Sequence, residues 1–257
     1  MKQIQTIFLY LFITGSIYSQ NYLPGDTLNV VAINGLNLRE APNLKSSIIT
    51  LLNNGEKVLI LKSDEQVEDE SEGFQGHWVK IQSLNSNIEG FVFDAYISQF
   101  PVLTEFDFTK DFISGKYRWE DDDMYDFLPA MLEEYALKVF QKTSCQLFYS
   151  SGSDGEGAFS LDLIQLNGKV TLIEHGYTEG HGIELELPNP RISEVYYLIK
   201  NILKYVPNEI SKIDDERIKN VKEYGQECIK IGEHPCIMRI IHKNDNVISI
   251  LFNNACC

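Results

Sequence analysis

Between residues 28 and 93 the apolar positions come in short runs rich in Val, Ile and Leu, at 28–33, 36–38, 48–52, 58–61, 78–81 and 91–93. Turn signals separate them: Asn34-Gly35, Ala41-Pro42, Asn54-Gly55, the glycine-containing stretch 73–76 and Glu89-Gly90. Runs this short, punctuated this often, predict strands and no helix. Leu36 and Leu38 alternate with Asn37 and Arg39, so one face of that strand is buried and the other offers polar groups. Pro42 cannot donate to a ladder and ends the strand. Asn54-Gly55 suits a tight hairpin that needs positive φ. Five or six strands in this space predict a small, strongly bent β-barrel. The acidic stretch "KSDEQVEDESEGFQG" interrupts the pattern and predicts a solvated loop.

The pattern changes at Phe100-Pro101. Beyond it, Leu128, Leu132, Tyr135 and Val139 fall at i, i+4, i+7 and i+11, one apolar stripe of a helix that carries Pro129 in its first turn. The acidic entry "EDDDMYD" puts carboxylates where the positive end of the helix dipole favours them. A second helix is predicted over 194–206, with Val195, Leu198, Ile199, Ile202 and Val206 on one face and Pro207 as its stop. Between and after the helices lie strands. "QLFYS" is one, "FSLDLIQLNGKVTLIEH" predicts a hairpin over Asn167-Gly168, and "GIELELP" alternates Ile183, Leu185 and Leu187 inward with Glu184 and Glu186 outward. The tail "CIKIG…CIMRIIHKNDNVISILFN" predicts a three-stranded meander. The expected organisation is a small all-β barrel at 26–100 followed by an antiparallel α+β domain at 104–257, with helices on one face of the sheet.

Charge and the N-terminus narrow the setting. The formal net charge is −15. That argues against nucleic acid, whose phosphates need clustered Lys and Arg, and against an anionic membrane surface. Residues 1–19 hold one Lys near the start, an apolar run at 7–13 and then Thr14, Gly15, Ser16 and Ser19, the layout of a secretory signal peptide cleaved after Ser19. The run is too short to span a bilayer, and no later segment is long and apolar enough to do so. The expected product is exported, periplasmic or secreted, with no membrane span after cleavage. Export makes disulfides the first reading of the five cysteines, Cys145, Cys228, Cys236, Cys256 and Cys257. Cys228 and Cys236 flank a predicted hairpin end near Gly232 and are the disulfide candidates.

The ordered set "LNLREAP…SSIITLLNNGEKVLIL…GHWVKIQ…IEGFVFDAYIS" resembles the bacterial SH3 (SH3b) family over about residues 26–99. The family's elements appear in order: an L-N-V-R run, a proline turn, an I-x-x-L strand, a G-x-x-V strand, a Gly-Trp-x-K-V strand and a closing Gly-Trp-Val…Tyr-Leu element. Glu40 and Ala41 stand where Ser and Gly are usual, Phe91 stands where Trp is, and His77 replaces the Gly before Trp78. The resemblance implies that the all-β barrel at 26–100 is an SH3-like barrel, a module that docks cell-wall peptide or an envelope protein in a shallow groove. The matching positions Asn37, Arg39, Trp78, Phe91 and Tyr96 are the ligand-binding candidates. Packing competes with that role. Trp78 and Phe91 suit the barrel core or its mouth, and Arg39 suits donation to a loop carbonyl.

Such domains often accompany cell-wall hydrolases, but no catalytic constellation stands out. Cys145 in "KTSCQLFYS" follows a helix and enters a strand, not the helix start that a nucleophilic Cys needs. In "EHGYTEGHGIE", His175 and His181 with Glu174, Glu179 and Glu184 are zinc-compatible types, but their spacing matches no helical i, i+4 motif. The same holds for Cys228, His234 and Cys236, where export favours a disulfide. "SSGSDGEG" lacks the Lys-Ser/Thr of a phosphate loop and the spacing of an EF-hand. We therefore expect no metal site and no cofactor. The chain reads as an exported, non-catalytic binding protein, and the alternative is a cell-envelope hydrolase that uses the SH3b module for targeting.

Overall fold

A computed structural model describes residues 22–102, 124–140, 142–153, 158–167, 170–177, 180–204, 215–219, 226–231, 234–244 and 246–253. Several features expected from sequence lie outside the described residues. They are the signal peptide, the acidic entry at 120–123, residues 154–157 of the Ser/Gly loop, Gly168, Glu179, Val206, Pro207, Gly232 and the Cys256-Cys257 pair.

The first seven strands are β1 (Thr27–Val30), β2 (Leu36–Arg39), β3 (Ile48–Leu52), β4 (Lys57–Ser71), β5 (Phe74–Ser83), β6 (Glu89–Phe93) and β7 (Ile97–Ser98), with a 3-10 turn at Asp94–Tyr96. They form one sheet in the order β3-β2-β6-β5-β4-β1-β7. Leu28, Val30, Leu36, Leu38, Leu52, Val58, Ile60, Val79, Ile81, Val92 and Ile97 fill its interior, which the alternation of the short runs predicts. Gly90 has no room for a side chain, because a Cβ there would lie 2.7 Å from Leu38 and 2.8 Å from the Arg39 carbonyl.

Two local expectations are corrected. The acidic stretch is not a loop: β4 runs through it to Ser71 and pairs with β5, placing Glu68 opposite His77 and Glu70 opposite Gln75. Glu72 (φ 53°) and Gly73 (φ 82°) turn the chain, and backbone pairing holds the arm extended while exposed Glu68 and Glu70 keep their charges in water. Asn54-Gly55 is a turn with positive φ at Gly55, but it joins strands that are not neighbours. Asn54 donates to the carbonyls of Val31 and Ala32, and the Gly55 N–H donates to Val30, so the turn is pinned to the end of β1.

The second sheet has the order β12-β13-β14-β11-β10-β9-β8, with β8 (Lys142–Ser153), β9 (Ala158–Leu166), β10 (Thr171–Tyr177), β11 (Gly180–Pro188), β12 (Gln226–Ile231), β13 (His234–Asn244) and β14 (Val247–Asn253). All its pairings are antiparallel, and the C-terminal meander is as expected. Among the described residues three helices accompany it: α1 (Met124–Phe140), α2 (Ile192–Leu203) and the short α3 (Asp215–Lys219). Helix α1 begins earlier than the sequence predicts, so Pro129 lies inside it rather than in its first turn. Leu128, Met131, Leu132, Tyr135 and Ala136 of α1 are buried with Ile183, Leu185 and Leu187 of β11 in one cluster.

That cluster also takes in Phe74, Trp78 and Phe93 from the first sheet, Val31, Ala95 and Phe100 from the segments beside its strands, and Val195, Tyr196, Tyr197, Leu198, Ile199 and Ile202 from α2. Ten of the twelve residues of α2 are buried, the mark of a helix covered on more than one side. Its N-terminus is fixed by charge. Arg191 sets its guanidinium 2.8 Å from Asp94, donates to Tyr22 (2.7 Å) and the Ile97 carbonyl (3.0 Å), and lies over the Tyr22 ring. Glu194 accepts from the Arg191 backbone N–H, from Tyr22 and Ser98 hydroxyls and from the Gln99 N–H, each at 2.9 Å. Burial opposes the charge on Arg191, but Tyr22, Asp94 and Glu194 outweigh it and raise its pKa.

One residue on the outward face is nevertheless buried. Glu184 is buried, on the sheet face opposite Leu185, and its carboxylate meets His175 (3.0 Å) and Lys243 (2.6 Å). Burial alone would raise its pKa, but the contacts from His175, Lys243 and Ser249 lower it to about 2.

Two outcomes follow. Arg191→Met leaves Asp94 and Glu194 buried without their cation and should cost about 3–5 kcal/mol in denaturant unfolding. A loss below about 1 kcal/mol would show that the junction does not depend on this ion pair. For Glu184 the folded pKa is depressed, so its contribution is complete above the ordinary value of 4.5 and is lost as pH falls towards about 2. Glu184→Gln should therefore flatten the fall in melting temperature over that window; an unchanged acid limb would count against it.

Candidate functional site

The barrel and α2 enclose a cleft of about 380 Å³. From the barrel come Asn34, Asn37, Arg39 and Leu44, the hairpin residues Ser71 and Glu72, and Trp78, Phe93 and Tyr96; α2 contributes Tyr196, Tyr197 and Lys200. A more open hollow of about 430 Å³ shares Ile33, Asn34 and Gly35 with it and adds Asn53, Asn54 and Lys204.

The cleft floor is a run of aromatic rings, Trp78, Phe93, Tyr96, Tyr197 and Tyr196, which continues into the core at Phe74. Centroid separations are 5.8 Å for Trp78–Phe93, 5.9 Å for Phe93–Tyr96, 5.6 Å for Tyr96–Tyr197, 5.0 Å for Tyr197–Tyr196 and 5.2 Å for Tyr196–Phe74. All are tilted or edge-on, the arrangement that ring quadrupoles favour. Hydroxyl groups lie along this run. Tyr96 bonds Ser71 at 2.6 Å, and Tyr197 donates to Glu72 at 3.0 Å. Burial raises both phenol pKa values; Ser71 opposes the rise at Tyr96, while Tyr96 and Glu72 add to it at Tyr197. Both stay protonated and neutral in the physiological range.

Cations stand on the walls. Arg39 donates to the Ser46 carbonyl at 2.7 Å, the structural role its position suggests, and still lines the cleft. Lys200 pairs with Asp215 at 3.2 Å, and its ammonium lies 5.8 Å from the centre of the Tyr196 ring. Lys204 donates to Asn54 at 2.9 Å, and burial lowers its pKa. The arrangement can take an elongated ligand along aromatic faces, with phenol and carboxamide groups for hydrogen bonds and cations for a carboxylate.

Of the positions singled out from sequence, Asn37, Arg39, Trp78 and Tyr96 line this cleft and Phe91 does not. Trp78 is only 2 % exposed and donates through its indole N–H to Asp69, so most of the ring serves packing. Phe91 sits on β6, opposite Arg39 and Lys80. Cys228 lies on β12 and Cys236 on the adjacent β13, with Cys228 opposite Arg239. His175 pairs in register with Gly182 and His181 with Gly176, so positions 175 and 181 belong to opposite faces of the sheet. Among the described residues no group of three or more His, Cys, Asp or Glu is placed to hold a metal.

The contributions of α2 and the β4–β5 arm were not anticipated. The signal in α2 was visible: "VYYLIKNIL" is too apolar around its circumference for a helix lying on a single surface. The arm gave no signal, because its acidic composition points to solvent and its pairing is decided by β5.

Comparison with curated proteins and with solved structures gives no match. A family model described as Bacterial SH3 domain matches residues 34–98, which covers β2 to β7. With the ordered motifs on those strands, the match identifies residues 34–98 as a bacterial SH3 domain.

Proposed function

We propose that this is an exported, non-catalytic binding protein of the cell envelope that takes an extended cell-wall peptide into the cleft between its SH3 domain and α2. The observation that carries the reading is the composition of the cleft: Asn37, Arg39 and Tyr96 from the SH3 domain face Tyr196, Tyr197 and Lys200 from α2 across one cavity. An extended peptide offers flat amides to aromatic faces and carboxylates to Arg39 and Lys200. The family match supports the coarser part of this, a module for binding the cell wall. Among the described residues no helix is long and apolar enough to cross a membrane.

The reading includes removal of residues 1–19. Tyr22 is built into the junction through Arg191 and Glu194, which fits processing ahead of it. Intact mass of the protein recovered from its exported fraction should give Gln20 as the first residue. A chain that begins after Tyr22 would overturn this part.

The binding test uses the full chain, since SH3-domain residues share a hydrophobic cluster with α1 and α2. Purified peptidoglycan should pellet the protein, and soluble wall peptides should compete. Asn37→Ala and Lys200→Ala should each weaken binding about five- to tenfold, about 1–1.4 kcal/mol, with little change in melting temperature. Failure of the wild type to pellet, or wild-type affinity in both variants, would remove the cleft as the site. Release of soluble wall fragments during incubation would instead place the protein with the hydrolases.

A further inference from the structure

The open hollow beside the cleft differs from it in chemistry. Its walls are the β1–β2 turn at Ile33, Asn34 and Gly35, the β3–β4 turn at Asn53 and Asn54, and Lys204 just after α2. No aromatic ring is among the described residues that line it, whereas the cleft that shares Ile33, Asn34 and Gly35 is floored with them. A ligand lying along the rings therefore passes over the Asn34-Gly35 turn into a space of carboxamides and one ammonium.

The Lys204 ammonium is held in place by two carboxamide oxygens, of Asn54 at 2.9 Å and of Asn201 at 3.3 Å. Those groups are themselves fixed. The Asn54 amide donates to the Val31 and Ala32 carbonyls, each at 3.2 Å, and the Asn201 amide donates to Val31 at 2.9 Å. Both partners are neutral, so they orient the ammonium without cancelling its charge. Burial lowers the Lys204 pKa, the sign of a cation set where water is scarce. An anion arriving there meets a cation already positioned, so little ordering is lost on binding. The net charge of −15 does not prevent this, because its field is screened over about 8 Å in physiological salt and these contacts act at hydrogen-bond range.

The remaining donors suit a carboxylate. Asn34 and Asn53 are exposed, and among the described residues their carboxamides make no hydrogen bond. The same is true of Asn37 on the cleft side of the turn. A carboxamide both donates and accepts, so Asn37 matches an amide of an extended chain. A carboxylate only accepts, through two oxygens, and the hollow offers it one ammonium and two amide groups. The rim between the two spaces is rigid: a Cβ on Gly35 would lie 2.7 Å from the Leu52 carbonyl, and the Gly35 N–H donates to Ala32.

We propose that this hollow is the subsite for the C-terminal carboxylate of the bound peptide, with Lys204 as its cation and Asn34 and Asn53 as donors. The peptide then lies in one direction, its last residue beyond the Asn34-Gly35 turn. The hollow has no ring for a residue that would follow, which suits the end of a chain. This rests on the reading of the cleft as a peptide site and adds the polarity of the ligand. Lys200, one turn earlier on α2, pairs with Asp215 beside the Tyr196 ring and serves the chain inside the cleft.

Calorimetry with the full chain tests it, using N-acetylated tetrapeptides built on alanine: the free acid, the C-terminal amide, and an amide with one internal Glu. The acid should bind about tenfold more tightly than the amide, and the Glu peptide should bind as the amide does. Lys204→Met should bring the acid down to the affinity of the amide and leave the amide unchanged, a split that a general loosening of the fold would not produce. Lys204→Arg and Lys200→Ala should keep the preference for the acid. Asn34→Ala, at an exposed side chain, should reduce that preference about threefold with the melting temperature unchanged. No preference for the acid, or no binding of any of the peptides, in a protein that peptidoglycan still pellets, would overturn the subsite and leave the cleft. So would a Glu peptide that binds as the acid does, or a preference that survives Lys204→Met. A protein that neither pellets nor binds a peptide would overturn cleft and subsite together.

Discussion

The ion network at the start of α2 is the constraint on which the rest of the molecule turns. Arg191 and Asp94 are both almost wholly withdrawn from water, with side-chain exposures of 12 and 6 %. Charges buried to that degree depend on their partners, and although the Arg191 Nε makes no hydrogen bond, the rest of the guanidinium is engaged. Asp94 meets the guanidinium and also accepts the His77 N–H, while both Glu194 oxygens are occupied. These partners come from the N-terminal tail, from β5, from the 3-10 turn, from the chain after β7 and from the helix itself. The network can therefore be complete only when the SH3 domain and α2 are in one relative position. Hydrophobic burial supplies the main driving force here as elsewhere, but it is non-directional. The charges supply the direction.

Once α2 is held there, the cleft follows. The helix lays Tyr197 beside Tyr96 and reaches Val31 through Asn201, whose amide donates at 2.9 Å. The groove of the SH3 domain thereby becomes one wall of a two-sided cavity. The β4–β5 arm forms part of the other boundary, since Glu72 at its turn accepts from Tyr197 and Ser71 bonds Tyr96. One rigid contact at the helix N-terminus thus determines which side chains meet at a distance along it. Residues that look like separate ring contacts are a single continuous surface from Trp78 to Phe74.

The sequence carried the local half of this. Strand alternation gave β2 and β3 within a residue, and the ordered motifs gave the SH3 domain, because those features depend on neighbours a few residues away. The α+β character of the remainder was equally legible from its helical stripes and hairpin signals. What was not legible depends on partners far away in the chain. Glu184 looks like an exposed carboxylate in "GIELELP"; His175 and Lys243, on other strands, make its burial tolerable. The acidic arm looks like a loop until β5 is present to pair with it. Tyr196 and Tyr197 look like extra bulk on an amphipathic helix until a second surface exists for them to face. In each case composition described the side chain and the tertiary partner decided its role.

The same dependence explains why the two edges of the first sheet differ. β7 is two residues long and could not remain paired on its own strength; it is buried because Arg191 and Glu194 use its backbone and hydroxyl to complete their own coordination. Closing that edge is a by-product of fixing the helix. β3 lies at the far end of the strand order, where β2 is its partner strand among the described residues. Elsewhere an exposed strand edge is made safe by charge, by proline or by a covering element. In β3 the residues that would do so are replaced by Ile, Ile and Leu, side chains whose exposure to water is unfavourable unless another apolar surface covers them. The asymmetry between the two edges therefore follows from where the helix is fixed: one end of the sheet is tied into the junction by Arg191 and Glu194, and the other is held by β2.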